Sequence, residues 1–242
     1  MIRFDKVTFA YNDEEPLLRD FSCRFKAGQC SVLIGPSGCG KSTLIRLVTG
    51  LEQASAGLVF FQDEAVTAAT IGHIRRRLGY VIQEGGLFPN LTVLQNIGLA
   101  ARARGGEAGL EDVRRLAALT HLNEALLDRY PRELSGGQRQ RVSLMRALTG
   151  KPEVLMLDEP LGALDPMIRA GVQQTLKELI GALGLTVVMV THDLAEAALF
   201  ADEIFLMHKG AIVQQGPVGQ LLHQPANEFV RRFVNSQRGV GA

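Results

Sequence analysis

Gly35-Pro36-Ser37-Gly38-Cys39-Gly40-Lys41-Ser42 stands directly after a short apolar run, Ser31-Val32-Leu33-Ile34. A helical pattern from about Lys41 to Val48 follows it and stops near Gly50. The octapeptide fits G-x-x-x-x-G-K-[ST]. Glycines in such a loop let backbone N–H groups turn inward around phosphate oxygens, and the helix starting near Lys41 adds the positive end of its dipole. In such a loop Lys41 can reach the β- and γ-phosphates of a nucleotide, and the Ser42 hydroxyl can bind Mg²⁺. Gly35, Pro36, Ser37, Gly38, Cys39, Gly40 and Thr43 complete the phosphate-binding set. A short apolar run ahead of the loop is what a buried parallel strand looks like.

Outward from the loop, the chain alternates between two periods. Residues 1–34 read as strands, with Ile2, Phe4, Val7 and Phe9 before a turn at Asn12 to Pro16, then Phe21, Cys23 and Phe25 alternating with polar residues until Gly28. Strand-like pieces recur at Leu58 to Phe61 and Tyr80 to Gln83. Leu91 to Thr149 turns helical, with Val113, Leu116, Ala117 and Leu119 on one face and Val142, Met145 and Leu148 on another. Strand, helix, strand then return at Val154 to Leu157, Ile168 to Leu183 and Thr186 to Val190. Alternation of this kind predicts an α/β fold on a parallel sheet, the middle helical block being inserted into it.

Composition narrows the function classes. The 26 glycines among 242 residues exceed the average share of ~7%, and without a collagen period they belong to loops, caps and close approaches. Twenty-six Lys and Arg against 25 Asp and Glu give a net charge of +1, which builds no field for nucleic acid. No apolar run approaches the ~20 residues that span a bilayer, and Met1-Ile2-Arg3-Phe4-Asp5 opens no signal-peptide core. Any membrane association is therefore expected through a partner. Three cysteines, Cys23, Cys30 and Cys39, have no zinc spacing and fit a reducing cytoplasm. Cys39 has two readings. It is a small residue tolerated at a variable loop position, or a thiol whose pKa a helix N-terminus lowers into a redox-sensitive range.

Two further motifs carry chemistry. Val154-Leu155-Met156-Leu157 ends in Asp158-Glu159, and ligands of parallel α/β sheets sit beyond the carboxyl ends of strands. Asp158 there is placed to hold Mg²⁺ through water and Glu159 can orient and deprotonate an attacking water, the alternative being a plain solvated strand end. Leu134-Ser135-Gly136-Gly137-Gln138 precedes a helix from about Gln138 to Leu148, a second anion site or simply a cap with Ser135 as N-cap.

Taken together the sequence resembles the ATP-binding cassette (ABC) transporter ATPases over about residues 1–220. Leu134 to Gln138 reads as their signature motif. Tyr11 stands where the family places an adenine-stacking aromatic, Gln83 looks like the Q-loop glutamine, Gly162-Ala163-Leu164-Asp165 like the D-loop, and His192 like the switch histidine. Gly162 departs from the usual Ser, at a position with no catalytic assignment.

The resemblance implies an α/β, P-loop NTPase (RecA-like) core with an antiparallel β subdomain and an inserted helical signature subdomain. It implies one cassette over 1–242: residues 1–83 and 151–220 form the nucleotide-binding core with its β subdomain, 84–150 the helical subdomain, and 221–242 a short tail. It also implies two copies, or a pseudo-symmetric pair, closing head to tail around two ATP molecules. Lys41, Ser42 and the loop hold phosphate and Mg²⁺, and Glu159 is the general base. His192 holds the γ-phosphate and the water, and Gln83 contacts Mg²⁺. Ser135, Gly136, Gly137, Gln138 and Asp165 complete the opposite copy's site. Separate membrane permease subunits, and a solute-binding protein in the full system, are the implied partners. The implied location is the cytoplasmic face of the inner membrane.

Gly79-Tyr80-Val81-Ile82-Gln83 with Gly86-Leu87-Phe88-Pro89, and the tail Pro225-Ala226-Asn227-Glu228-Phe229-Val230, look most like osmoprotectant importers for glycine betaine, choline or related quaternary amines. Phe88 and Leu91 are either apolar contacts for a permease helix or core residues. Importers for another solute, such as an amino acid or polyamine, and exporters resemble the chain less specifically. DNA-acting cassettes carry a long coiled coil between phosphate loop and signature, and none is read here. A P-loop kinase has no use for the signature.

Overall fold

A computed structural model describes residues 1–12, 15–83, 85–162 and 164–238. Ala163 of the Gly162–Asp165 motif, Glu84 next to Gln83, Asp13 and Glu14 of the expected Asn12–Pro16 turn, and 239–242 of the expected tail lie outside the described residues. In chain order the elements are β1 (Ile2–Phe9), β2 (Leu18–Phe25), β3 (Cys30–Ile34), α1 (Lys41–Val48), β4 (Ala56–Phe61), β5 (Glu64–Ala65), α2 (Ile71–Arg77) and β6 (Leu78–Val81). They continue with α3 (Val93–Ala103), α4 (Leu110–Leu119), α5 (Gly136–Leu148), β7 (Val154–Asp158), α6 (Pro166–Leu183), β8 (Thr186–Val190) and α7 (Leu194–Phe200). The last are β9 (Glu203–His208), β10 (Ala211–Gly216), α8 (Val218–His223) and α9 (Glu228–Arg238). They cluster into two compact units, Met1–Ile74 with the residues from Thr186 onward, and Arg75–Leu185.

The first unit holds two sheets. One is antiparallel in the order β2-β1-β4-β5. The other runs β10-β9-β3-β8, with β3 parallel to both β8 and β9. Every residue of β3 and β8 is buried, as the two apolar runs require. Phe4 meets Phe21 and Phe25 edge-on, and Phe25 meets Phe205 edge-on at 5.0 Å, so aromatic contacts weld the unit's interior. The β9–β10 hairpin turns through Lys209 (φ 48°) and Gly210 (φ 76°), a two-residue loop with both residues left-handed. Lys-Gly is not one of the strong hairpin signals, which is why the sequence pattern does not announce this pair.

The second unit holds the parallel pair β6–β7 and the helices α3, α4, α5 and α6. The helical block follows the apolar pattern, with Val113, Leu116 and Ala117 buried on α4 and Val142, Met145 and Leu148 buried on α5. One expectation needs correction. The strand read at Tyr80 to Gln83 runs Leu78–Val81, so Gln83 is not a strand residue. The chain turns instead: Gly85 N–H donates to the Ile82 carbonyl at 3.0 Å, and Gln83 is exposed in that turn. Among the described residues no helix is long and apolar enough to cross a membrane.

Candidate nucleotide site

In the first unit the glycine-rich loop joins β3 to α1. Gly35 has φ +146°, and a Cβ there would meet the Met207 carbonyl of β9, so only glycine fits where the loop leaves the sheet. Gly35→Ala is expected to cost about 3 kcal/mol, seen as a Tm lowered by ~6–12 °C in a thermal melt. Helix α1 begins at Lys41 with Gly40 as N-cap, and no side chain caps it or puts acid into its first turn. An uncapped, acid-free N-terminus is built to receive an anion from outside the chain. Lys41 is only 5% exposed, and its Nζ donates to the Gly35 carbonyl at 2.8 Å and the Pro36 carbonyl at 2.9 Å. The ammonium is therefore held inside the loop by two carbonyls.

The surroundings of Cys39 favour the small packed residue. It is buried beside Lys41, and burial raises its thiol pKa against the lowering pull of the ammonium. The thiolate that redox sensing needs is disfavoured.

Tyr11 is 36% exposed, its ring edge-on to Phe9 and its hydroxyl 3.1 Å from Thr43 Oγ1 on α1. The aromatic is thus tied to the helix that starts at the loop. His192, after β8, is exposed. Its flanks are fixed: Thr191 Oγ1 donates to buried Glu196 at 2.6 Å and accepts from Asp193 N–H, while Asp193 caps α7. Nothing in the sequence pattern marks Thr191 and Glu196 as a pair. Their spacing of five fits no regular face.

In the second unit β7 is buried along its length and ends at Asp158. The Tyr80 hydroxyl of β6 lies 3.5 Å from Asp158 Oδ2. Glu159 is left-handed at φ +45°, a strained state for a residue with a Cβ, and such strain clusters at functional sites. Its carbonyl accepts from Gly162 N–H at 3.2 Å.

Ser135 is the N-cap of α5, which begins at Gly136, two residues before the expected start. The capping box is complete, since Ser135 Oγ accepts from Gln138 N–H and Gln138 Oε1 accepts from Ser135 N–H. The cap reading of this motif is what the geometry shows, and the cap bond leaves the Ser135 hydroxyl proton unused by it. A Cβ on Gly137 would strike Ile168 of α6, so the helix start packs closely there. Asp165 caps α6, its Oδ1 accepting from Ile168 N–H at 3.1 Å, with Pro166 at the first helical position.

Among the described residues no three His, Cys, Asp or Glu gather as a metal cage. Mg²⁺ at nucleotide sites is bound by one or two carboxylates together with substrate phosphates. Asp158, a nearly buried carboxylate, and the hydroxyl of Ser42 are donors of that kind.

Residues 18–162, more than half of the chain, match the model of the family described as ABC transporter. The chain belongs to that family. It is 39% identical over 240 residues to the glycine betaine/carnitine/choline transport ATP-binding protein OpuCA of Bacillus subtilis, covering 98% of this chain and 63% of the relative. It is 42% identical over 243 residues to the glycine betaine uptake system ATP-binding protein YehX of Escherichia coli, covering 99% and 79%. The sulfate/thiosulfate import ATP-binding protein CysA 2 of Agrobacterium fabrum is 40% identical over 243 residues, covering 99% and 70%. The chain thus spans less than two thirds of the OpuCA relative's length. The dimeric structure of MJ0796, a bacterial ABC transporter cassette, superposes with a TM-score of 0.79 at 30% identity, covering 90% of this chain and 99% of that one. The cassette is accordingly a P-loop α/β fold with an antiparallel sheet and an inserted helical block.

Proposed function

We propose that this cassette is the ATP-hydrolysing subunit of an ABC importer, and that two copies close around two ATP molecules to drive uptake through separate membrane permease subunits. The observation that carries the ATPase reading is the buried Lys41 inside a glycine loop, at a helix N-terminus with no cap of its own. Family membership supports the rest.

Lys41 and the loop from Gly35 to Thr43 hold the phosphates, and Tyr11 stacks the base. Ser42, Asp158 and Gln83 would hold Mg²⁺, which when bound neutralises charge on the phosphate oxygens. Glu159 takes the proton of the attacking water, and His192 holds the γ-phosphate side. Ser135, Gly136, Gly137, Gln138 and Asp165 serve the other copy's nucleotide. Fixed dipoles and charges aimed at the transferring group supply the catalysis. Removing the γ-phosphate removes what holds the copies together, and the pair opens.

Phosphate release from ATP by the purified cassette, with and without Mg²⁺, tests the reading. No release under either condition refutes it. Tyr11→Ala is expected to weaken ATP binding about tenfold without blocking closure, since stacking on an aromatic is worth ~1–3 kcal/mol. Titration calorimetry measures the first and solution mass the second. An unchanged Kd returns Tyr11 to packing on Phe9.

Phe88, 48% exposed beyond the Gln83 turn, suits an apolar contact with a permease helix. Glycine betaine, choline or a related quaternary amine is the proposed solute, on the likeness to OpuCA and YehX. A solute-binding protein would deliver it, and the cassette would sit on the cytoplasmic face of the membrane. The likeness to CysA 2 supports a second reading, sulfate import. Uptake of labelled betaine, choline and sulfate by cells with and without the gene for this cassette separates the two.

A further inference from the structure

Gln83 and the signature motif are far apart in sequence, yet one helix holds both. Helix α5 starts at Gly136 of the signature and is anchored by buried Val142, Leu144 and Met145. Ser143 and Arg146, three apart, share one face of it. Ser143 Oγ donates to the Gly85 carbonyl at 2.8 Å. The Arg146 guanidinium donates to the same carbonyl through Nη2 at 2.8 Å and to the Gly86 carbonyl through Nη1 at 2.6 Å. Gly85 N–H closes the turn that carries Gln83 by donating to Ile82. One residue therefore closes the turn with its N–H and hangs it from α5 with its carbonyl. A planar fork spanning two successive carbonyls is a geometry lysine cannot reproduce.

We infer that Ser143 and Arg146 are positioning residues for Gln83, tying its turn to the helix whose N-terminus is the signature motif so that the two move as one piece. The role rests on the ATPase reading above. When α5 engages a nucleotide at its N-terminus, Gln83 is displaced with it. Without the tether, Gln83 samples positions in which it cannot serve Mg²⁺. ATP affinity, carried by the phosphate loop, is unaffected.

Two measurements test this. Without nucleotide, Ser143→Ala is expected to raise hydrogen exchange at the amides of Gly85 to Phe88 by about tenfold, leaving those of α5 unchanged. Unchanged exchange in the turn overturns the tether. With ATP, Arg146→Gln and Gln83→Ala are each expected to lower kcat about tenfold at unchanged KM for ATP. The double variant should be within about twofold of either single, because both remove one function. A double variant near a hundredfold down, the product of the singles, overturns the role. If Arg146→Gln does not fold, Ser143→Ala, expected at about threefold in kcat, takes its place: its double with Gln83→Ala should stay near the tenfold of Gln83→Ala, and about thirtyfold, the product, overturns the role. Absence of ATP hydrolysis by the natural chain would refute the ATPase reading and the role with it. The exchange result would be unaffected, so the two failures are distinguishable.

Discussion

Glu159→Gln is expected to bind ATP as the natural cassette does and to turn it over about 10²–10⁴-fold more slowly, the range for losing a general base. The carboxamide keeps the shape and an acceptor oxygen but cannot take the proton of the attacking water. Residue 159 stands just past the buried strand β7, left-handed at φ +45°, with its carbonyl tied to Gly162 N–H. That backbone costs about 1–3 kcal/mol unless glycine occupies it. Glu159→Gly is therefore expected to melt higher than Glu159→Gln, by about 2–4 °C for each kcal/mol relieved, and to be as inactive. Thermal melts and phosphate release check the pair. Natural turnover in Glu159→Gln would remove Glu159 from the base role. Glu159→Gly melting no higher than Glu159→Gln would deny the strain.

Lys41→Ala is expected to weaken ATP binding about 10–100-fold, the worth of one or two charge-assisted hydrogen bonds. The effect should exceed what loss of charge at a surface would give, because Nζ is buried and already fixed by the Gly35 and Pro36 carbonyls. No side-chain ordering remains to be done when phosphate arrives. The same substitution leaves two loop carbonyls without their donor, so some loss of Tm accompanies it. Calorimetric titration with ATP in the absence of Mg²⁺ isolates the lysine from the metal. A Kd within twofold of the natural chain would deny Lys41 its place on the phosphates.

What the sequence made legible was local and periodic. Strand Thr186–Val190 and helix Lys41–Val48 fall where their patterns put them, because a strand buried on both faces is a plain apolar run and a glycine-bounded helix has clear ends. The family motifs were readable as fixed-order strings. Interactions between distant residues were not. Gln83 is off the strand because its neighbour Gly85 turns the chain back on Ile82, and no period of two can show a turn closure. Ser143 and Arg146 lie about sixty positions from the carbonyls they hold. Phe88 had two readings, core or contact, since apolar character alone does not decide burial. Buried Asn96 bonds Phe88 N–H and the carbonyls of Phe88, Leu91 and Thr92, and in that loop the ring of Phe88 is exposed and Leu91 half-buried, which removes the core reading for Phe88 and leaves the permease contact a proposal. Cys39 also needed three dimensions, because a helix N-terminus lowers a thiol pKa and burial raises it, and here burial dominates.

The central claim is that ATP binding, separated from hydrolysis, joins two copies of this chain. The most direct test is the solution mass of Glu159→Gln by light scattering, with Mg²⁺ and either ATP or ADP. The account predicts twice the chain's 26.3 kDa with ATP and the single-chain mass with ADP. The same mass with both nucleotides, at ATP concentrations shown by titration to saturate the site, would contradict it.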